Sequence, residues 1–148
     1  MISLDLYGIP VPQTRPRFSR RGGFVHTYDP LSTLKKQFQW QIKAQYRDAP
    51  LGMPLAMDVV FFMPIPKATS SVKKRQMLTG AIHHDKRPDV DNLQKFILDC
   101  LNDIVIKDDS QIADIRSRKV YSEKPGTSIR IRSLTEQNFG VLNEDRER

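Results

Sequence analysis

The chain has 148 residues, with 24 lysines and arginines against 17 aspartates and glutamates, a formal net charge of +7 and an isoelectric point near 9.7. That length suits one domain, and 39% hydrophobic with 28% charged residues fits a folded rather than a disordered chain. A mean hydropathy of −0.50, and no apolar run near the roughly 18 residues a helical membrane span needs, argue against membrane insertion. Met1–Asp5 lacks the basic-then-apolar pattern of a secretory leader. The single cysteine, Cys100, excludes an intrachain disulfide framework and paired-thiolate zinc sites, so a reducing cytoplasm is the expected setting.

In chain order, Ile2, Leu4 and Leu6 alternate with Ser3, Asp5 and Tyr7, the period of a strand over residues 2–8. Pro10, Pro12 and Pro16 interrupt regular structure. The basic stretch Gln13–Thr27 carries Arg15, Arg17, Arg20 and Arg21 beside Gly22-Gly23, and reads as a long loop or loose hairpin turning at the glycine pair. Asp29-Pro30 has the chemistry of a helix start, an Asp N-cap followed by proline. Leu31, Leu34, Phe38, Ile42 and Tyr46 then recur at helical spacing towards Asp48, with Trp40 and Tyr46 expected to pack on this helix. Residues 55–63 read as a second strand, stopped by Pro64 and Pro66. Thr69-Ser70-Ser71 opens a short capped helix ending near Gly80.

A clearer helix lies between Pro88 and Asp103, with Val90, Leu93, Ile97, Leu101 and Ile104 in one stripe and Cys100 beside it in the core. Residues 111–121 and 128–134 read as strands. Lys124-Pro125-Gly126-Thr127 is the expected turn between them, making a C-terminal hairpin. The polar residues 136–148 read as a frayed tail. This order predicts an α+β fold, a small mixed sheet with two main helices packed on it, in a single domain over residues 1–135 with a basic loop at 10–28.

The charge is unevenly spread. Residues 1–85 hold the whole excess of +7, while residues 86–148 are neutral and carry seven aspartates between positions 89 and 114, offset there only by Lys95 and Lys107. A basic chain with one dense carboxylate cluster suits phosphate binding by the first feature and metal binding by the second. Asp89 and Asp91 straddle the predicted helix start, so an extended Asp89 and a first-turn Asp91 converge on one ion. The helix N-terminus beside them favours an arriving phosphate. Lys95 lies one turn after Asp91 on the same face, in reach of a phosphate oxygen. Helix capping explains one such aspartate, and an i,i+4 ion pair explains the lysine; two aspartates with an in-register lysine fit a site equally well. Asp108-Asp109, before the next strand, is either a solvated turn or the source of a third carboxylate for a hard cation. His83-His84 has no partners at zinc spacing and is expected to play a loop or strand role.

Pro88-Asp89-Val90-Asp91-Asn92-Leu93-Gln94-Lys95, then Asp99 and Leu101-Asn102, then Asp108-Asp109-Ser110-Gln111-Ile112, resemble the RusA family of Holliday-junction resolvases, the crossover junction endodeoxyribonucleases of bacteria and their phages. The Pro- and Arg-rich Pro10–Phe18 is similar to the family's opening, and Lys73-Lys74-Arg75 to its phage members. The resemblance implies a homodimer with an acidic site in each subunit, using Mg²⁺, with Mn²⁺ as a substitute. Matched residue by residue, it puts the metal-binding and catalytic aspartates at Asp89, Asp91 and Asp109 and a catalytic lysine at Lys95. Two departures matter: Pro88 stands where some members carry arginine, and a shorter spacing to the Asp-Asp pair leaves the choice between Asp108 and Asp109 open.

A phosphodiester is anionic and resists attack by water; a divalent ion neutralises that charge and activates water. No covalent nucleophile with a paired base is evident, so direct hydrolysis is expected, with the 5′-phosphate and 3′-hydroxyl products that the resemblance implies. Arg15, Arg17, Arg20 and Arg21, with Lys73, Lys74 and Arg75, are the expected DNA-binding groups. Phe18 and Phe24 either anchor the basic loop or stack on exposed bases. The expected activity is symmetric resolution of four-way junctions in recombination or repair. The alternatives are a metal nuclease acting on forks and flaps, and a non-catalytic DNA-binding module.

Overall fold

The computed structural model describes residues 1–15 and 17–134. The expected tail at 136–148 lies outside the described residues, as do Pro16 and the side chains of Arg17, Phe18, Arg21 and Phe24. Strand β1 (Ile2–Tyr7) leads into a basic arm formed by β2 (Arg17–Arg21) and β3 (Phe24–Tyr28). Helix α1 (Ser32–Gln45), β4 (Leu55–Pro64), α2 (Ser71–Thr79) and α3 (Val90–Leu101) follow, then β5 (Ile112–Ser122) and β6 (Gly126–Ser133). The α+β architecture is as expected.

The arm is an antiparallel hairpin turning at Gly22-Gly23. Both glycines have positive φ, 60° and 82°, as a two-residue turn matching the strand twist requires. Ser70 caps α2 by accepting from Lys73 N–H at 3.3 Å, and Gly80 ends it in the left-handed region at φ 84°. Four strands form the main sheet in the order β1-β6-β4-β5, with β4 antiparallel to β6 and parallel to β5. The expected C-terminal hairpin is therefore absent. Residues 123–125 carry the chain past the end of β4 at Pro64, so β5 and β6 lie on opposite sides of it. Alternation alone specifies which residues share a face, not which strands are neighbours. Inserting β4 gives both of its edges a ladder and buries Leu55, Met57, Val59, Phe61 and Met63.

Helices α1 and α3 cover one face of this sheet. Phe38, Ile42 and Tyr46 of the first segment and Leu93, Phe96, Ile97, Cys100 and Leu101 of α3 join Leu4, Leu6, Ile129 and Ile131 in one core. The Phe38 and Phe96 rings meet edge to face at 5.5 Å. Two details of α1 depart from the sequence reading. Asp29 accepts from Leu31 N–H through its side chain, and Ser32 N–H bonds its carbonyl, so the turn closes before the helix and Pro30 stays outside it. Trp40 does not pack: it faces solvent, 77% exposed.

Gln41 and Gln45 of α1 do what a neighbouring strand would do for the free edge of β1. Gln45 accepts from Asp5 N–H and donates to its carbonyl, at 2.9 and 2.8 Å, and Gln41 does the same for Tyr7 at 2.7 and 2.9 Å. An edge so occupied cannot recruit another strand. On the other side of β1, the pairing with β6 is close enough that a Cβ at Gly126 would stand 2.7 Å from the Leu6 carbonyl oxygen. Gly126→Ala should therefore destabilise the fold by about 2 kcal/mol, read as a lower urea midpoint; an unchanged midpoint would show that the two strands part without cost.

Candidate active site

The N-terminus of α3 carries the acidic pair. Asp89 is its N-cap residue, extended at φ −69° and ψ 142°, with no hydrogen bond from its side chain to the cap. Both carboxylate oxygens are thus left for another ligand. Asp91, in the first turn, accepts from Asn92 N–H through Oδ1 at 2.9 Å, which orients the carboxylate and leaves Oδ2 without a hydrogen-bond partner among the described residues. Lys95 follows one turn later. All three side chains are exposed, because the opposite side of α3 fills the core. Among the described residues, no ion pair joins Lys95 to Asp91 or Asp99; Asp99 instead pairs with Lys35 at 3.3 Å, and Lys35 also bonds Asp29.

The base of the basic arm is fixed to this helix at two points. Gln13 N–H donates to the Asn92 carbonyl at 2.9 Å, two residues before the exposed Arg15. The other end returns through Asp29, whose partner Lys35 also reaches Asp99. The Lys35 ammonium hydrogen-bonds to Asp29 and holds that carboxyl below its ordinary 3.8. Arg20 is exposed on the arm. Lys73, Lys74 and Arg75 are exposed on α2, which buries no residue, and Lys74 pairs with Glu123 at 3.2 Å.

The core-side row of β5 is polar where it meets the acidic end. Ser117 Oγ donates to Gln94 Oε1 at 2.8 Å, and the Lys119 ammonium donates to the Lys86 and Pro88 carbonyls at 2.7 and 3.0 Å. Tyr121 packs against His84, their ring centroids 4.8 Å apart. Lys119 fastens the chain one residue ahead of Asp89, and sequence reasoning missed it. A lysine in an alternating strand reads as solvated, and only the strand's position next to α3 shows otherwise. His84 keeps the loop role expected of it.

Those contacts also fix the direction of α3. Its N-terminus lies by Lys119 and its C-terminus towards the start of β5, where Asp108 and Asp109 precede Ile112. The strand between Ile112 and Lys119 spans on the order of 20 Å, so the Asp-Asp pair stands at the opposite end of α3 from Asp89 and Asp91. The third carboxylate does not return to the helix start within one chain. Among the described residues, no three carboxylate, imidazole or thiolate groups gather to hold one ion. The pair itself divides its duties. Asp108 accepts from Ser110 N–H at 3.1 Å while Gln111 Oε1 accepts from Asp108 N–H at 2.9 Å, a reciprocal cap. The Ser110 bond holds the Asp108 carboxyl below its ordinary 3.8. Asp109 is exposed in the single 3₁₀ turn Asp109–Gln111. Cys100 is inert in the core, its thiol pushed up to about 12 by burial.

The family model described as Endodeoxyribonuclease RusA matches residues 8–132. The chain belongs to the RusA family. The matched span runs from the end of β1 into β6 and takes in the acidic end of α3, the Asp108-Asp109 pair and Lys119. Membership of that family indicates endodeoxyribonuclease activity. The Bacillus subtilis (strain 168) protein YqaN, itself described as uncharacterized, is 39% identical over 138 residues, 90% of this chain and 97% of its own length. The crossover junction endodeoxyribonuclease RusA of Aquifex aeolicus (strain VF5) is 22% identical over 133 residues, 88% of this chain and 90% of its own length.

Two outcomes test this neighbourhood. Lys119→Met leaves two carbonyls without their donor and should lower the local stability of residues 84–90 by about 2 kcal/mol. Faster amide exchange confined to that segment is the readout; unaltered exchange would mean that Lys119 holds nothing. The second concerns His84, kept below its ordinary 6.5 by burial first and by the Lys119 ammonium second. A depressed folded value means that the unfolded chain takes the proton more readily. This contribution is therefore complete above pH 6.5 and lost as the pH falls below it. Urea midpoints on either side should differ in the wild type and differ less in His84→Asn.

Proposed function

We propose that this RusA-family chain is a divalent-metal-dependent endonuclease that resolves four-way DNA junctions as a homodimer, with each acidic site assembled from two chains. The observation that carries this reading is the pair Asp89 and Asp91, exposed at the N-terminus of α3 with unused oxygens. Hard oxygen donors of this kind fit Mg²⁺ or Mn²⁺. The bound ion would neutralise the phosphodiester and activate the attacking water.

The chain's own residues supply the rest. Asp91 is oriented by Asn92 N–H, and the Asp89 backbone is held by the Lys119 bonds to the preceding loop. Lys95 takes a phosphate oxygen one turn along the same exposed stripe, and the first-turn N–H groups of α3 favour the same anion. Arg15, Arg17, Arg20 and Arg21 of the arm, with Lys73, Lys74 and Arg75 of α2, bind the DNA backbone. Of the Asp-Asp pair we assign Asp109 to the metal, since the Asp108 carboxylate is engaged in capping Ser110.

One chain keeps Asp109 and the Asp89–Asp91 pair at opposite ends of α3. A two-fold axis passing beside the exposed face of the helix, perpendicular to it near its middle, would pair it antiparallel with its copy and bring Asp109 of a second copy towards Asp89 and Asp91 of the first. The same operation makes two equivalent sites, as symmetric cleavage of two strands requires. Asp89→Asn and Asp91→Asn should each lower junction cleavage more than about 100-fold while binding survives, and chelation should silence the wild type until Mg²⁺ or Mn²⁺ is returned. Mixing Asp91→Asn with Asp109→Asn subunits tests the shared site. Random pairing restores about a quarter of the wild-type sites, so nicking should reappear in a mixture of two inactive proteins. Full activity of both Asp89→Asn and Asp91→Asn would sink the acidic site. A mixture as silent as its components would exclude sharing between chains.

A further inference from the structure

Among the described residues, no helix covers the groove on the face of the main sheet turned away from α1 and α3, and the composition of that face is unusual for a solvated one. Register places Arg130 of β6, Asp58 of β4 and Arg116 of β5 in one row across three strands. The next row on the same face sets Ser128, Val60 and Arg118 side by side. These side chains and Phe62 line a shallow groove of about 360 Å³. Arg116, Arg118 and Arg130 are exposed, whereas Val60 and Phe62 form a half-buried floor.

Neighbouring strands lie about 4.8 Å apart and successive rows on one face about 6.6 Å apart, so three guanidinium groups line the groove with a single carboxylate, Asp58, while Asp114 and Arg132 face each other across Ala56 in the adjoining row. Asp58 stands on β4 between Arg130 and Arg116 and offsets one positive charge, which leaves an excess of like charge whose members repel one another. An anion entering the groove removes that repulsion. A second copy of this chain is a poor occupant, because a two-fold contact through this face would set the arginines against their own copies. A small apolar ligand would find half the groove charged. The guanidinium fork matches two phosphate oxygens.

We propose that this groove is a second phosphate-binding surface, which holds the sugar-phosphate backbone of one duplex arm of the DNA being cut. The proposal rests on the reading of the chain as a DNA junction endonuclease and adds a surface that the arm and α2 do not include. Strand β5 connects the two regions. Ser117 and Lys119 point from it towards the acidic end of α3, and Arg116 and Arg118 from its other side into the groove. A duplex leaving the acidic site over this edge strand meets the arginines next.

The test is the salt dependence of binding to a synthetic four-way junction in EDTA, where no cleavage intervenes. The wild type is compared with Arg116→Gln/Arg118→Gln/Arg130→Gln, and Arg118→Gln alone serves as the variant with least risk to folding. Each lost phosphate contact reduces the slope of log affinity against log salt by about 0.9. The triple variant should therefore lose between about 2 and 3 from the slope and bind at least tenfold more weakly at low salt, and Arg118→Gln should lose about 1. Dimer mass and melting temperature should both stay at wild-type values. An unaltered slope in both variants overturns the proposal, as does loss of the dimer in either, which would make this face a contact between copies. A wild type that fails to bind the junction overturns the functional reading itself, which separates the two failures.

Discussion

The burial of one side of α3 is the constraint on which the acidic end depends. Leu93, Phe96, Ile97, Cys100 and Leu101 are each at most 2% exposed, and each large apolar side chain so buried contributes about 1.5–3 kcal/mol. A helix turns about 100° per residue, so this face fixes the roll of the helix. Asp91 and Lys95 are then obliged to face outward on one stripe. Rolling α3 by one position would bury a carboxylate or an ammonium without a partner, at a cost of several kcal/mol. The edge-to-face contact of Phe96 with Phe38 passes the same constraint to α1, and through Lys35 to Asp29 at the base of the basic arm. The arm and the acidic pair are thus set relative to each other by the core, even though both lie at the surface.

Much of this was legible in the sequence because it is local. The i,i+2 and i,i+4 spacing of Asp89, Asp91 and Lys95 fixes their relation once α3 forms, and the apolar stripe says that it forms. The turn at Gly22-Gly23, the Ser70 cap and the stop at Gly80 depend on backbone chemistry within a few residues. What failed is non-local. Strands β5 and β6 were each recognised, yet a plausible turn at Lys124–Thr127 suggested a partner that neither has. Neighbour choice was settled by β4, whose apolar row is more deeply buried with a strand on both sides. Trp40 misled for the converse reason: hydrophobicity suggests burial, but its position on α1 points away from the sheet.

The same division explains the candidate site. The residues of one helix turn could be read together, whereas the place of Asp109 follows from a crossover of dozens of residues whose path no local pattern encodes. Lys119 and the groove arginines alternate along β5 with residues of the other face, and alternation reads them as ordinary strand surface. Only the neighbours distinguish them. Lys119 finds two carbonyls of the loop before Asp89, and Arg116 lies in register with Asp58, across which stands Arg130.

Charge placement gives the two-chain reading its physical economy. Three carboxylates gathered in one chain repel one another whenever the ion is absent, and folding would have to overcome that repulsion. With Asp109 at the far end of α3, each chain folds with only two carboxylates together, next to a helix N-terminus that tolerates negative charge. The repulsion then arises only on pairing, where a cation and a polyanion are available to offset it. On that view, divalent metal strengthens the dimer, because the ion binds groups from both chains and shifts the assembly equilibrium by mass action. On the same reading, the excess of positive charge in residues 1–85 serves that balance, because it would draw DNA to a pair of subunits with acidic sites.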